Sequence, residues 1–173
     1  MASMLDARGS GTARGIVVVH SCPRAVAPHL AWALAKVLGT QSALEWSEQT
    51  VAPGMLRSSL AWSGRPGTGA RLASALVAFT SVRFEVTEDP SAGREGERFA
   101  ATPSLGLHRA TIGVHGDIVV TEDRLRALLT GTDHHERLAD AVRGVLGQAW
   151  DDELEPYRSA GADGIVRVLT PAI

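Results

Sequence analysis

The run Gly15-Ile16-Val17-Val18-Val19-His20 constrains the fold more than any other stretch of the chain. Its four central residues are all apolar and β-branched, so neither face of the segment suits water and the backbone favours a pleat over a helix. A strand of this kind belongs in the middle of a sheet with both faces covered. The rest of the chain has to supply its neighbours and its cover.

The segments that follow do so in a recognisable order. Pro23 and Pro28 mark a turn, and Pro28 suits the first turn of a helix that runs to Leu38 and stops at Gly39. Leu30, Ala33, Leu34, Val37 and Leu38 form its apolar stripe. Leu44 and Trp46 then alternate with Glu45 and Ser47, and Leu56, Ser58, Leu60 and Trp62 alternate with Arg57, Ser59 and Ala61, which predicts two half-buried strands. Folding them about Pro53-Gly54 sets Trp46 opposite Leu60 and Leu44 opposite Trp62 on one face. Leu72, Ala75, Leu76 and Phe79 mark a second helix, and Val82, Phe84 and Val86 a fourth strand.

The order β-α-β-β-α-β over residues 15–88 predicts an α+β fold of the ferredoxin-like kind, an antiparallel sheet with two helices on one face. The first strand is expected at its centre, crossing over to the third as its parallel neighbour, with an edge among the hairpin strands. Residues 1–14 read as a flexible leader, and a polar loop over 89–96 leads into an extension over 97–173, all within one domain. The extension carries candidate strands at 99–102, 107–112 and 118–120 and two to three helices. One helix starts at the N-cap Thr121, and another at Asp133, whose spacing to Glu136 is that of a capping box. A last strand is expected over 165–169.

Composition excludes several classes. A net charge of -2 offers no attraction to a phosphate backbone, so nucleic acid is not an expected partner. The single cysteine, Cys22, rules out an internal disulfide framework and suits a reducing compartment. No apolar stretch has the length of a membrane span and the first residues do not form a signal peptide, so the expected location is the cytoplasm, with no membrane partner.

Four groups of residues could carry chemistry. His20 and Cys22 follow the central strand, where an imidazole and a helix N-terminus could activate a thiol, although a buried apolar cysteine is the competing reading. Gly67-Thr68-Gly69-Ala70 leads into the second helix, and its backbone amides could cradle an anion; a simple strand-to-helix turn is the alternative. His108, His115, His134 and His135, with Asp117 and Glu136, contain ligand types for zinc but none of its known spacings, so no metal and no cofactor are expected. Trp150-Asp151-Asp152-Glu153 is the most unusual local composition and could present an interaction surface, or could be a solvated helix end pinned by its aromatics.

Several segments carry a resemblance: Phe84 through Pro90, Thr102 through Gly106, Gly113 through Ile118, Ala149 through Pro156, and the Val18-Val19-His20-Ser21 and Gly67-Thr68-Gly69-Ala70 motifs. In these the chain resembles the actinobacterial domain-of-unknown-function family 3145 over nearly its whole length. The resemblance implies an actinobacterial origin and, through the gene neighbourhood of members in some genera, a link to type II fatty-acid synthesis; it brings no catalytic residues. Three functions follow as expectations. The first is a non-enzymatic binding or regulatory module for an anionic small molecule or a protein partner. The second is an enzyme on an acyl or thioester substrate using Cys22 or His20 with His115 and Asp117. The third is a homo-oligomer subunit joined through exposed tryptophans.

Overall fold

The computed structural model describes residues 11–40, 44–130 and 135–160. In chain order the elements are β1 (Ala13–Pro23), α1 (Ala27–Leu38), β2 (Ser47–Glu48), β3 (Met55–Gly64), α2 (Thr68–Leu76) and β4 (Arg83–Glu88). They continue with β5 (Gly96–Thr102), β6 (Gly106–Ile112), β7 (Ile118–Val119), α3 (Glu122–Thr130), α4 (His135–Leu146) and α5 (Gln148–Ser159). The fold is α+β, with one seven-stranded antiparallel sheet in the order β2-β3-β1-β4-β5-β6-β7. The strand expected over 165–169 and the start of the helix at Asp133 lie outside the described residues. No helix among the described residues is long and apolar enough to cross a membrane.

β1 lies between β3 and β4, as its apolar run requires. The expectation that β3 runs parallel to it is corrected: β3 is antiparallel, because α1 carries the chain past β1 to the outer strand β2 and the hairpin then turns back between them. The hairpin register is corrected as well. Ser47 pairs with Arg57 and Glu48 with Leu56, which places Trp46 beside Ser58 and Leu44 beside Leu60, two residues from the expected pairing. The loop is centred on Ala52 rather than on Pro53-Gly54, since Gln49 donates its amide to the Met55 carbonyl at 2.9 Å. A shift of two residues preserves the face, so Leu44 and Trp46 still pack on the core.

Strand alternation divides the sheet into two faces. Val17 and Val19 of β1, Phe84 and Val86 of β4, and Phe99 and Ala101 of β5 face α1 and α2, where Leu30, Leu34, Leu72 and Leu76 complete a fully buried core. The intervening residues point to the other face, where α5 packs on β5 and β1 and bonds Arg83 and Glu85 of β4. The close approach within the first layer depends on Gly15: a Cβ there would stand 1.8 Å from the Thr87 carbonyl oxygen and 2.7 Å from the Trp62 ring. Among the described residues, α5 reaches over β5, β4 and the end of β1, and Arg57 of β3 bonds its last turn, while the outer part of that second face, toward β2, is not covered by it.

Candidate functional site

The second face carries charge where a sheet covered by a helix would ordinarily be apolar. Arg83 and Glu85 on β4, and Arg98 and Thr102 on β5, alternate with core residues and so point at α5. On α5, Trp150, Asp151, Leu154, Tyr157 and Arg158 recur at helical spacing, and Leu154 is fully buried. The charged members close into a network. Glu85 Oε1 accepts from Arg98 Nη2 at 2.7 Å and from Arg158 Nη2 at 2.7 Å, and its Oε2 accepts from Arg158 Nε at 2.9 Å. Asp151 accepts from both guanidiniums, at 2.8 Å from Arg158. Next to it, Glu153 binds Arg83 at 3.0 Å and accepts from the Thr102 hydroxyl at 2.9 Å. Arg83 in turn lies over the Tyr157 ring, 4.9 Å from its centroid.

Charge is balanced among the buried members of this layer, two carboxylates against two guanidiniums around Glu85 and a third pair beside them, with the exposed Glu155 3.6 Å from Arg158 at its edge. Burial alone would raise the Glu85 carboxyl, but hydrogen bonds and charges from His20 and Arg158 outweigh it and hold the group far below the ordinary carboxylate range. Burial likewise opposes the ionisation of Asp151, and the hydrogen bonds of Arg98 and Arg158 overcome it, so this carboxyl too is lowered. Both acids are therefore ionised and act only as acceptors.

His20 joins this network from β1, its Nε2 2.8 Å from Glu85 Oε2. A bulge places it there. The register of β1 shifts between Val19 and Cys22 against β3 and between Val19 and Ser21 against β4. Strict alternation would set His20 and Cys22 on one face; the extra residue returns Cys22 to the helix-covered core and leaves His20 on the other side. Cys22 is fully buried, and burial pushes its thiol up to about 11. The expected Cys22–His20 pairing does not form, for this reason.

Beside His20 a cleft of about 400 Å³ opens on the uncovered part of the second face. Val18 and His20 of β1, Arg57 and Ser59 of β3, and Glu45 and Ser47 before and on β2 lie along it, and Trp46, Gln49 and Tyr157 bound it. The wall is braced at two points. Gln49, buried to 1 % exposure, donates from Nε2 to the His20 carbonyl at 2.6 Å, and Arg57 Nη1 donates to the Ala160 carbonyl at the end of α5 at 2.8 Å.

The other expected sites fall elsewhere. Gly67 and Gly69 do present their amides at the start of α2, but the chain's own Glu88 takes them, at 2.8 Å each, and Thr68 donates its amide to the Arg65 carbonyl. An external anion would have to displace that buried carboxylate to reach the Gly67-Thr68-Gly69-Ala70 turn. His115 and Asp117 are exposed in the β6–β7 connection, three strands from β1, so the structure does not bring them to His20. Among the described residues no three metal-ligating side chains cluster. His108 instead stacks on Trp150 at 4.9 Å and bonds the Val145 carbonyl at 3.2 Å. Of Trp150, Asp151, Asp152 and Glu153, only Asp152 is exposed; the other three are turned toward the sheet, Asp151 and Glu153 in the ion network and Trp150 donating from Nε1 to the Gly106 carbonyl at 2.9 Å. Of the four tryptophans only Trp32 is strongly exposed, at 70 %.

Glu85, Arg98, Arg158, Gln49 and Arg57 were not singled out by the sequence pattern. A signal existed for one of them: Arg158 stands with Asp151 and Leu154 at i+7, i and i+3, the spacing of one helix face, but charged residues at those positions read as solvated.

No curated protein and no solved structure matches the chain. Residues 16–171 match the family described as a protein of unknown function, DUF3145. That span includes every strand and helix described above except the first three residues of β1, and the chain belongs to this domain-of-unknown-function family 3145.

Proposed function

We propose that this protein is a non-enzymatic binding module that works in the cytoplasm, built on a ferredoxin-like core, and that its ligand occupies the cleft beside His20. The order β2-β3-β1-β4 with α1 and α2 on one face supports that description of the core. One observation carries the functional reading: the sheet face left open by α5 is concave and polar, and a buried histidine fixed by a carboxylate lies at its floor. Clefts of a few hundred cubic ångströms with a few convergent polar groups are the usual form of small-molecule sites. The anionic-ligand reading of the Gly67 turn is set aside in favour of this cleft, because Glu88 already fills the turn.

The test is thermal stability across a panel of metabolites, read for the wild type and for Ser59→Trp, which places an indole over the open strand without touching the core. A ligand present at 100 times its Kd stabilises by about 2.7 kcal/mol. The expected result is a compound that raises Tm in the wild type and not in Ser59→Trp. An equal rise in both proteins, or no rise with any compound, overturns the reading.

A second reading concerns self-association. α3 buries none of its nine residues, and Leu125 and Leu129 stand out at 43 % and 63 % exposure. Light scattering over a concentration series tests it, and a constant monomer mass removes it.

A further inference from the structure

The hydrogen bond between His20 and Glu85 fixes more than the position of the ring. Glu85 is ionised and can only accept, so in the neutral imidazole the proton of the 2.8 Å contact sits on Nε2. Nδ1 then carries a lone pair. It has no hydrogen-bond partner among the described residues, and it is not sealed off; the fully occluded, unpartnered side-chain polar atoms among them are Ser21 Oγ and Trp62 Nε1. The residue as a whole is 5 % exposed, and the cleft is the space it borders. Such a polar ring, held on one side and open on the other, is costly to bury unless something completes it.

The surroundings narrow what that something is. A bare carboxylate or phosphate oxygen would face the Nδ1 lone pair with a lone pair of its own. The charged side chains on the cleft, Arg57 and Glu45, are of opposite sign, and the ion network beneath is balanced, so the site holds no excess charge for an ion. Ser47, Ser59 and Tyr157 add hydroxyls that both donate and accept, and the Tyr157 ring adds an apolar surface.

We propose that the cleft takes a neutral, hydroxyl-rich small molecule of the polyol or sugar class, one hydroxyl of which donates to His20 Nδ1. Glu85 is the positioning residue of this contact, and Arg98 and Arg158 hold Glu85. The proposal rests on the cleft being the binding site, and it adds the chemistry of the ligand.

The experiment is nitrogen-15 NMR of the histidine rings in the full chain, with the pH raised until the ring signals no longer move, and with His20 assigned by loss of its signals in His20→Gln. The expected spectrum shows protonated Nε2 and unprotonated Nδ1. Glycerol, glucose and myo-inositol are then added separately, with acetate and inorganic phosphate as the ionic arm. Glucose or myo-inositol shifting Nδ1 more than glycerol identifies a ring-shaped ligand, and glycerol acting equally identifies an open polyol; both support the proposal. A ring protonated on Nδ1 overturns it. So does a response of the cleft amides, such as Ser59, to acetate or phosphate with Nδ1 unmoved by the hydroxylated probes; the cleft would then stand as a binding site with a different ligand. Silence of all cleft signals to every probe overturns the ligand class, and whether the cleft binds anything is then decided separately by the metabolite panel and Ser59→Trp.

Discussion

Exchanging Glu85 for glutamine preserves the shape of the side chain and removes the charge on which His20, Arg98 and Arg158 converge. Asp151, with the exposed Glu155 3.6 Å from Arg158, is then left as counter-charge to two guanidiniums held between α5 and the sheet. Removing one partner of a buried ion pair costs about 3–5 kcal/mol. Glu85 is 13 % exposed and both arginines 25 %, so solvent relieves part of that cost, and the lower end, about 3 kcal/mol, applies. At roughly 2–4 °C per kcal/mol for a domain of this size, E85Q should melt about 6–12 °C below the wild type. Urea denaturation followed by tryptophan fluorescence should show an earlier midpoint with an unchanged slope. The pH dependence has a definite sign. Carboxyls whose pKa is lowered in the fold contribute stability that is complete above their unfolded pKa of about 4 and is lost as pH falls through that range. The wild type should therefore weaken on acidification, and E85Q should weaken less steeply. A midpoint within about 0.5 kcal/mol of the wild type, the usual effect of a surface exchange, or an identical acid limb, would refute the idea that Glu85 anchors α5.

Three further outcomes test separate parts of the structure. Glu88→Ala empties the pair of amides at Gly67 and Gly69, and each lost charge-assisted bond is worth about 1.5–3 kcal/mol; acetate should restore part of the lost Tm in this variant and not in the wild type, and equal response in both would count against a filled anion turn. Cys22 should resist a thiol reagent in the native protein and react at the unfolding rate, and because its pKa is raised, its stabilisation is complete below the ordinary thiol pKa and is lost as pH rises toward about 11, so Cys22→Ala should flatten the alkaline limb of the stability curve. Rapid labelling of the folded protein would contradict its burial. Gly147→Ala meets both a φ of 74° and a Cβ position 2.7 Å from the His108 ring, so it should destabilise by at least about 1 kcal/mol, visible as altered Trp150 fluorescence; a neutral effect would mean that the α4–α5 corner is loosely held.

The first layer of the fold was legible because its signals were apolar. β1 announced itself by four consecutive branched residues, and α1 and α2 by stripes that end in Leu30, Leu34, Leu72 and Leu76, all of them fully buried. The register of the β2–β3 hairpin was not, because Pro53-Gly54 is turn chemistry without being the centre of the turn; the Gln49 side chain, reaching the His20 carbonyl and the Val51 amide, helps fix where the loop closes. That determinant is tertiary and leaves no mark in the local pattern.

The site was hidden for a related reason. Hydrophobic periodicity finds a buried face only when burial is achieved with apolar atoms, and α5 is buried through charge. Arg83 and Glu85 on alternate positions of β4 look like a solvent face, and Asp151 and Arg158 look like a solvated helix; each becomes interior only when the other is opposite it. His20 illustrates the same point at the level of one residue. From the sequence it could serve as the partner of Cys22, two positions on, and alternation would allow that. A single extra residue in β1 separates the two, turning the thiol toward Leu30 and Leu34 and the imidazole toward Glu85. The bulge decides which chemistry the strand end can offer: with it, an oriented hydrogen-bond acceptor at the floor of an open cleft, and without it, a thiol and an imidazole on one face.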